Sequence, residues 1–311
     1  MHSEPGCIGE GRDPASDPAA VRDTMLAQIG PLAGAEYIAL GCARGRVLAG
    51  TQGGLADGRR LAAADVGLLA AAGRDRIAVY RRPRVAVICT GDELRPLGSV
   101  LEAGDIHASN GYLLAGLMAG CGVELRDCGV VADQAELLCR RLLTAAVDCD
   151  AIITTGGASA GEADLVCDAI AAGGELLIRR VAMRPGRPMA FGRVGRSWVF
   201  SLAGRPAGVL SAFLCFVGDA LRRLGGERMP PEWPRLPATL AEPLAKDHRR
   251  REFVQGILFE RGGNWLVRPS RSEGGRLCSM SAANCYIVMA PEETRLSVGQ
   301  RVSVQYFGDR A

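Results

Sequence analysis

Thr154-Thr155-Gly156-Gly157-Ala158-Ser159-Ala160-Gly161-Glu162-Ala163-Asp164 is the stretch whose reading decides the fold. It follows an apolar run, Ala151-Ile152-Ile153, and leads into residues with helical spacing. A buried strand running into a glycine turn and then a helix start is how α/β proteins build anion sites. Glycine lets the backbone approach a phosphate oxygen closely. The first turn of a helix supplies unpaired N–H groups and partial positive charge. The stretch has neither the Gly-Lys-Ser/Thr of a P-loop nor the Gly-x-Gly-x-x-Gly of dinucleotide folds. A turn of this kind serves equally as a plain tight connection, so its neighbours decide its meaning.

Upstream, Val85-Ala86-Val87-Ile88-Cys89 is a continuous apolar run of the kind found in parallel strands buried on both faces. It ends in Thr90-Gly91-Asp92-Glu93-Leu94. Ser109 stands where it would cap a helix running to Gly120, with Leu113, Leu114, Leu117 and Met118 at helical spacing. Residues 123–131 predict a strand, and 134–147 a helix with Leu137, Leu138, Leu142 and Leu143 inward. A helix over 164–172, a strand over 176–183, and short strands over 189–191 and 198–201 follow. Residues 206–224 predict one long helix with Pro206 in its first turn, where a missing N–H costs nothing. This alternation predicts a three-layer α/β domain with a mostly parallel sheet, whose ligands sit beyond the carboxyl ends of the strands.

Residues 1–20 are rich in Gly, Pro, Ser and Asp, a composition that predicts disorder. Residues 21–82 read as a helix, two short apolar segments and a second helix closed by Gly73, too little for a domain. After a joint holding Pro230, Pro231, Pro234 and Pro237, short strands separated by turns predict a small β domain, with a hairpin at Gly262-Gly263-Asn264. The expected division is 1–20, 21–82, 83–229 and 235–311.

The bulk composition excludes several classes. A net charge of +3 over 311 residues and 5% aromatics argue against a nucleic-acid partner. No apolar run reaches the roughly 18–20 residues of a membrane span. The start of the chain has no apolar leader stretch, so a cytoplasmic protein is expected. Eleven cysteines contain no C-x-x-C pair, which predicts reduced, mostly buried thiols. His2, His107 and His248 lie too far apart in sequence to suggest zinc.

Polar chemistry gathers at three strand ends: Thr90 to Leu94, the opening glycine stretch, and Arg184-Pro185-Gly186-Arg187-Pro188. Neighbouring parallel strands would bring these turns to one rim. Carboxylates there hold a divalent cation, while arginines and glycine-lined amides hold an anion. Singly, Asp92 and Glu93 are ordinary turn carboxylates, Asp164 a helix-dipole partner, and Arg184 and Arg187 a solvated face. Jointly they point to a phosphorylated ligand with a metal.

At these residues the chain resembles the MoeA/gephyrin-type molybdopterin molybdenumtransferases. The matching stretches are RVAVICTGDEL (84–94), GDIHASNGYLL (104–114), TTGGASAGEAD (154–164), RPGRPMAFG (184–192), LAGRPAGVL (202–210), RREFVQG (250–256) and RLCSMSAANCYIV (276–288). The resemblance spans residues 60–308 and implies a MogA-like molybdopterin-binding domain followed by a β-barrel. It implies Mg2+-dependent insertion of molybdate into adenylylated molybdopterin with release of AMP, in a homodimer working beside other molybdenum-cofactor assembly proteins. By motif position it implies that Asp92, Glu93 and Asp164 hold the metal. With Arg184 and Arg187, which stand where the family usually has lysines, they form the catalytic set. Thr90, Gly91, Asn110, Gly156, Gly157, Ser159, Gly161, Gly204, Arg205 and Arg250 then contact pterin-phosphate or oxyanion.

The chain also departs from the pattern. It has no counterpart of the N-terminal SAMDGYA motif, and Ala108 replaces an aspartate. Ala203-Gly204-Arg205-Pro206 replaces Pro-Gly-Asn-Pro, and Gly208 and Gly274-Gly275 stand where serines are expected. A buried donor is worth about 0.5–1.5 kcal/mol net, so the hold on an oxyanion is weakened. Two further readings follow: a molybdopterin-binding or carrier paralogue without catalysis, and a molybdopterin adenylyltransferase, against which the attached β domain argues.

Overall fold

The computed structural model describes residues 17–157, 165–228, 235–271 and 276–308. The first helix, α1 (Pro18–Gln28), opens at Pro18, three residues earlier than the apolar spacing predicts. Asp17 caps it, its carboxylate accepting the N–H of Ala19 at 2.9 Å. Val21 and Met25 of α1 enter the main core. β1 (Ala35–Ala39) pairs antiparallel with β2 (Arg76–Tyr80), with α2 (Ala63–Ala71) between them in sequence. Leu40, Leu48, Leu61, Leu69, Ile77 and Val79 close this segment on a cluster of its own. The antiparallel pairing of β1 with β2 left no sequence signal, because β1 is almost wholly exposed and so lacks the alternation that marks a half-buried strand.

The next strands are β3 (Arg84–Thr90), β4 (Leu94–Arg95) and β5 (Ile106–His107), followed by α3 (Asn110–Ala119), β6 (Glu124–Val131), α4 (Ala135–Asp148) and β7 (Ala151–Thr155). After α5 (Leu165–Gly173) come β8 (Gly174–Arg180), β9 (Met183–Arg184), β10 (Pro188–Val194) and β11 (Ser197–Leu202). The six-stranded sheet has the order β6-β3-β7-β11-β10-β8. Pairing is parallel from β6 to β11, and only β10 runs against its neighbours.

The apolar runs read from sequence are buried on both faces. Val85, Val87 and Ile153 pack with Leu114 and Leu117 of α3 on one side. Ala86, Ile88 and Ile152 pack with Leu138 and Leu142 of α4 and Ile170 of α5 on the other. This period-two split produces the three layers. Two local expectations fail. Ser109 stands at the start of α3 but makes no capping bond. Leu137 and Leu143 of α4 are exposed, because the face built by Leu138, Leu142 and Ala145 leaves them on its flanks. The long helix is one run: α6 (Pro206–Ala212), a π-helical turn over Phe213–Val217, and α7 (Gly218–Leu224).

The last part holds β12 (Arg235–Leu240), β13 (Leu244–Ala245), β14 (Arg251–Arg261), β15 (Asn264–Pro269), α8 (Arg276–Ala282), β16 (Cys285–Met289), β17 (Arg295–Leu296) and β18 (Arg301–Tyr306). β14, β15, β12, β18 and β16 close back on β14 as a five-stranded barrel around Leu240, Leu258, Val267, Ile287 and Val304. The predicted hairpin turn is Gly262-Gly263, since Arg261 pairs with Asn264. Barrel and sheet domain are joined in three ways. β9 adds to β14, with Met183 beside Arg251 and Arg184 beside Glu252. Phe253, Tyr286 and Phe307 pack edge-to-face within the main core. α1 spans the seam, Arg22 pairing with Asp219 at 2.7 Å and Asp17 with Arg251 at 3.2 Å.

Candidate functional site at the sheet lip and barrel seam

The carboxyl ends of β3, β6, β7 and β11 form one lip, and hydrogen bonds between their tips fix it. Gly91 N donates to the carbonyl of Val131 at 3.3 Å, and Gly156 N to that of Leu202 at 3.3 Å. Gly156 has φ +95°, and a Cβ there would lie 1.8 Å from the Thr90 carbonyl oxygen, so only glycine permits this approach. Asn110, at the start of α3, donates from Nδ2 to Thr155 Oγ1 at 2.9 Å and to the Gly204 carbonyl at 2.7 Å. The Thr155 hydroxyl donates onward to Ala203 at 3.1 Å. Asn110 thus ties together the loops after β7 and β11. Its Oδ1 is buried and has no partner, an acceptor left over at the lip.

The acidic side of the lip is also interlocked. The Thr90 hydroxyl donates to Asp133 Oδ1 at 2.6 Å, and Asp133 N donates to Asp92 Oδ1 at 3.0 Å. Asp92 and Glu93 are exposed. Sequence reading missed Asp133. It follows β6 by two residues, as Asp92 follows β3, and the recurrence of a carboxylate just past two strand ends was the available signal.

The arginine turn lies at the same lip. Pro188 pairs with Arg180 at the end of β8, and Met189 with Leu202 at the end of β11. Ser211 Oγ of α6 holds the turn by donating to Pro185 O at 3.0 Å. Arg187 and Arg205 are exposed, and Gly204, which precedes Arg205, lies against Gly156 of the neighbouring loop. Arg184 is drawn toward the barrel, not toward the carboxylates of the β3 turn. Its guanidinium lies 3.6 Å from Asp247 and 3.8 Å from Glu252. Arg250 is close by, its N–H donating to His248 Nδ1 at 3.3 Å and its carbonyl accepting Lys246 Nζ at 2.7 Å. His248 Nε2 is 3.4 Å from Glu252.

A basic group of Arg184, Lys246, His248 and Arg250 thus lies at the seam, with Arg184 and His248 facing Glu252. Lys246 and His248 carried no motif signal, and Glu252, although inside the stretch RREFVQG, was not singled out; the register of β9 on β14 is what assembles them. Burial lowers the His248 imidazole below its ordinary range; Glu252 opposes this, and Arg250, Arg184 and Lys246 add to it. Burial likewise lowers the Lys246 ammonium. His248 is thereby kept neutral at pH 7, leaving Nε2, which is buried and makes no hydrogen bond.

Ser159, Gly161 and Asp164 lie outside the described residues. Among the described residues no group of three His, Cys, Asp or Glu side chains is placed to hold a metal ion. Ten cysteines are free thiols, and no helix among the described residues is long and apolar enough to cross a membrane.

Fold and site together define an α/β protein with an anion-suited lip and a barrel docked beside it. Residues 86–223 match the family described as a probable molybdopterin binding domain, and residues 237–307 match the MoeA C-terminal region (domain IV). The chain is 34% identical over 251 residues to a molybdopterin molybdenumtransferase of Nostoc, covering 79% of this chain and 58% of that protein. It is 30% identical over 230 residues to one of Haemophilus influenzae, covering 73% and 57%. A molybdopterin biosynthesis MoeA protein of Pyrococcus horikoshii superposes with a TM-score of 0.68 at 30% identity, over 80% of this chain and 61% of that one. A molybdenum cofactor biosynthesis protein of Pyrococcus furiosus superposes with a TM-score of 0.71 at 25% identity, over 93% and 98%. The chain belongs to the MoeA-type molybdopterin molybdenumtransferase family, in a form that spans 57–58% of the length of these two curated relatives.

Proposed function

We propose that the chain acts in molybdenum cofactor biosynthesis, inserting molybdate into adenylylated molybdopterin with release of AMP. The observation that carries the reading is the adjacency of two unlike surfaces. One is a strand-end lip with glycine-lined amides and the carboxylates of Asp92, Glu93 and Asp133. The other is the basic group at the seam. In the reaction proposed, water adds at phosphorus and the bond to AMP breaks. Molybdate loses one oxygen as water, taking the two thiol protons as two Mo–S bonds form.

Asn110 Oδ1, an unmatched buried acceptor, is suited to a pterin N–H. Thr90 and Asp133 hold the Asp92 turn in position, and in this reading the Asp133 carboxylate takes the proton from water. Arg184, Arg187 and Arg250 hold the molybdate dianion, each guanidinium offering paired donors to an oxyanion. Mg2+ suits Asp92 and Glu93, which offer hard oxygens, because the ion is commonly held by one or two carboxylates together with substrate phosphates. Bound there, it would neutralise charge on the phosphoanhydride. A cytoplasmic homodimer is carried over from the same kinship.

Gly208 favours a second reading, a carrier that binds molybdopterin without turnover. The family pattern has a serine here, but a Cβ would lie 2.9 Å from that of Ala203, so the loop has closed over the space a hydroxyl needs. One experiment separates the two. Purified chain is mixed with adenylylated molybdopterin, molybdate and Mg2+, and AMP is measured. AMP released in proportion to cofactor, and reduced at least tenfold by Asp133→Asn, supports the transferase. Tight binding with no AMP overturns it in favour of the carrier.

A further inference from the structure

At the opposite end of the sheet from the lip, a crevice of about 250 Å3 opens between the N-terminal segment, the α3–β6 connection and α7. Five arginines line it: Arg46, Arg60, Arg81, Arg82 and Arg222. Its enclosed part is about 10 Å3, the room of about one water molecule, so an occupant sits in its mouth.

Three of the arginines are matched by carboxylates. Arg46 pairs with Glu36 and also donates to Tyr80 O at 3.0 Å. Arg60 lies 3.8 Å from Glu227 and donates to Gly120 O at 2.8 Å. Arg81 grips Asp150 at 2.7 and 2.8 Å. Arg82 and Arg222 form no carboxylate ion pair within 4.0 Å among the described residues. Asp219, one turn before Arg222 on α7, is engaged by Arg22.

The crevice is partly desolvated on the side of its matched arginines, while Arg222 is half-buried and Arg82 opens to solvent. Arg46 is 10% exposed and Arg60 27%. Burial, with repulsion from Arg222 and Arg82, weakens the hold of Arg60 on its proton, and Glu227 only partly offsets this. Like charges held together in a crevice attract an oxyanion, and guanidinium groups match its geometry with paired donors.

We propose that this crevice is a second anion site, distinct from the lip, taking a small tetrahedral oxyanion of the phosphate class. A bound oxyanion would tie the N-terminal segment to the sheet domain, because its ligands come from both. Arg60 comes from the former and Arg222 from the latter.

The test is thermal unfolding of the full chain in increasing inorganic phosphate, against chloride at matched ionic strength. The expected result is a saturable rise in Tm specific to phosphate. Arg222→Gln should weaken the apparent affinity at least tenfold, while Arg205→Gln at the lip leaves it within twofold. AMP is titrated in parallel. Stronger crevice-dependent binding of AMP than of phosphate assigns the site to a phosphate carried on a larger molecule, and equal or weaker binding assigns it to the free anion. Arg222→Gln removes a repelled charge and a hydrogen bond to the Cys121 thiol but leaves the three carboxylate pairs intact, and circular dichroism checks that it folds. The proposal is overturned by a phosphate response no larger than that to chloride, by one that survives Arg222→Gln, or by one abolished by Arg205→Gln.

Discussion

Replacing Gly156 by alanine tests the construction of the lip at its tightest point. The substitution places a Cβ 1.8 Å from the Thr90 carbonyl oxygen in a backbone with φ +95°. The left-handed conformation costs a non-glycine residue about 1–2 kcal/mol. Forcing the β3 and β7 tips apart adds about 1–3 kcal/mol, as overpacking does elsewhere. The sum is about 2–5 kcal/mol. At about 2–4 °C per kcal/mol for a unit of 150–250 residues, Tm should fall by about 4–20 °C. Gly195→Ala is the matched control. Gly195 has φ +56° and nothing within 4 Å of its Cβ position, so it should cost only the conformational part. Thermal unfolding followed by circular dichroism gives both values. A Gly156→Ala protein within 2 °C of wild type, or no less stable than Gly195→Ala, would refute the close approach of the two strand tips.

Asn110→Ala removes two hydrogen bonds that join the loops after β7 and β11; at about 0.5–1.5 kcal/mol each, urea unfolding should show a loss of about 1–3 kcal/mol. Asp150 is buried, which alone would raise its carboxyl, but two bonds from Arg81 and one from Arg84 N outweigh that and hold it below its ordinary value of 3.8. A lowered carboxylate stabilises the fold above its unfolded pKa and ceases to do so as pH falls through the folded value. Asp150→Asn should therefore lower stability near neutrality and flatten its fall below about pH 4, as pH-dependent urea titration would show. Arg184→Gln removes ion pairs of 3.6 and 3.8 Å from a half-exposed side chain, so stability should change by less than about 1 kcal/mol. Molybdate affinity, measured by calorimetry, should fall at least tenfold.

The sheet domain was legible because its signals are local and strong. Residues 85–89 and 151–153 are unbroken apolar runs, and in a parallel sheet covered on both faces nothing interrupts them. The glycines of 156–157 marked a turn that geometry forbids to other residues. The pairing of β1 with β2 was invisible because β1 is exposed on both faces, Glu36 and Tyr37 alike, and so shows no alternation. Leu137 and Leu143 show the limit of composition: an apolar helix contains more leucines than its buried face accommodates.

The site was legible only in part, for a related reason. Asp92 and the Arg184–Arg187 turn lie in sequence motifs. Asp133, by contrast, acquires its place through a bond to Thr90, 43 residues away. The seam group depends on two strands from different domains lying in register, and that pairing leaves no trace in either segment alone.

In the proposed function the seam arginines and the sheet lip serve one substrate pair. Crystals soaked with molybdopterin and tungstate, a heavy analogue of molybdate, would test it through anomalous diffraction. A tungsten peak is expected within hydrogen-bonding distance of Arg184, Arg187 or Arg250, with the pterin beside Asn110. A tungsten peak confined to the crevice of Arg222, or a pterin bound away from the strand ends, would contradict it.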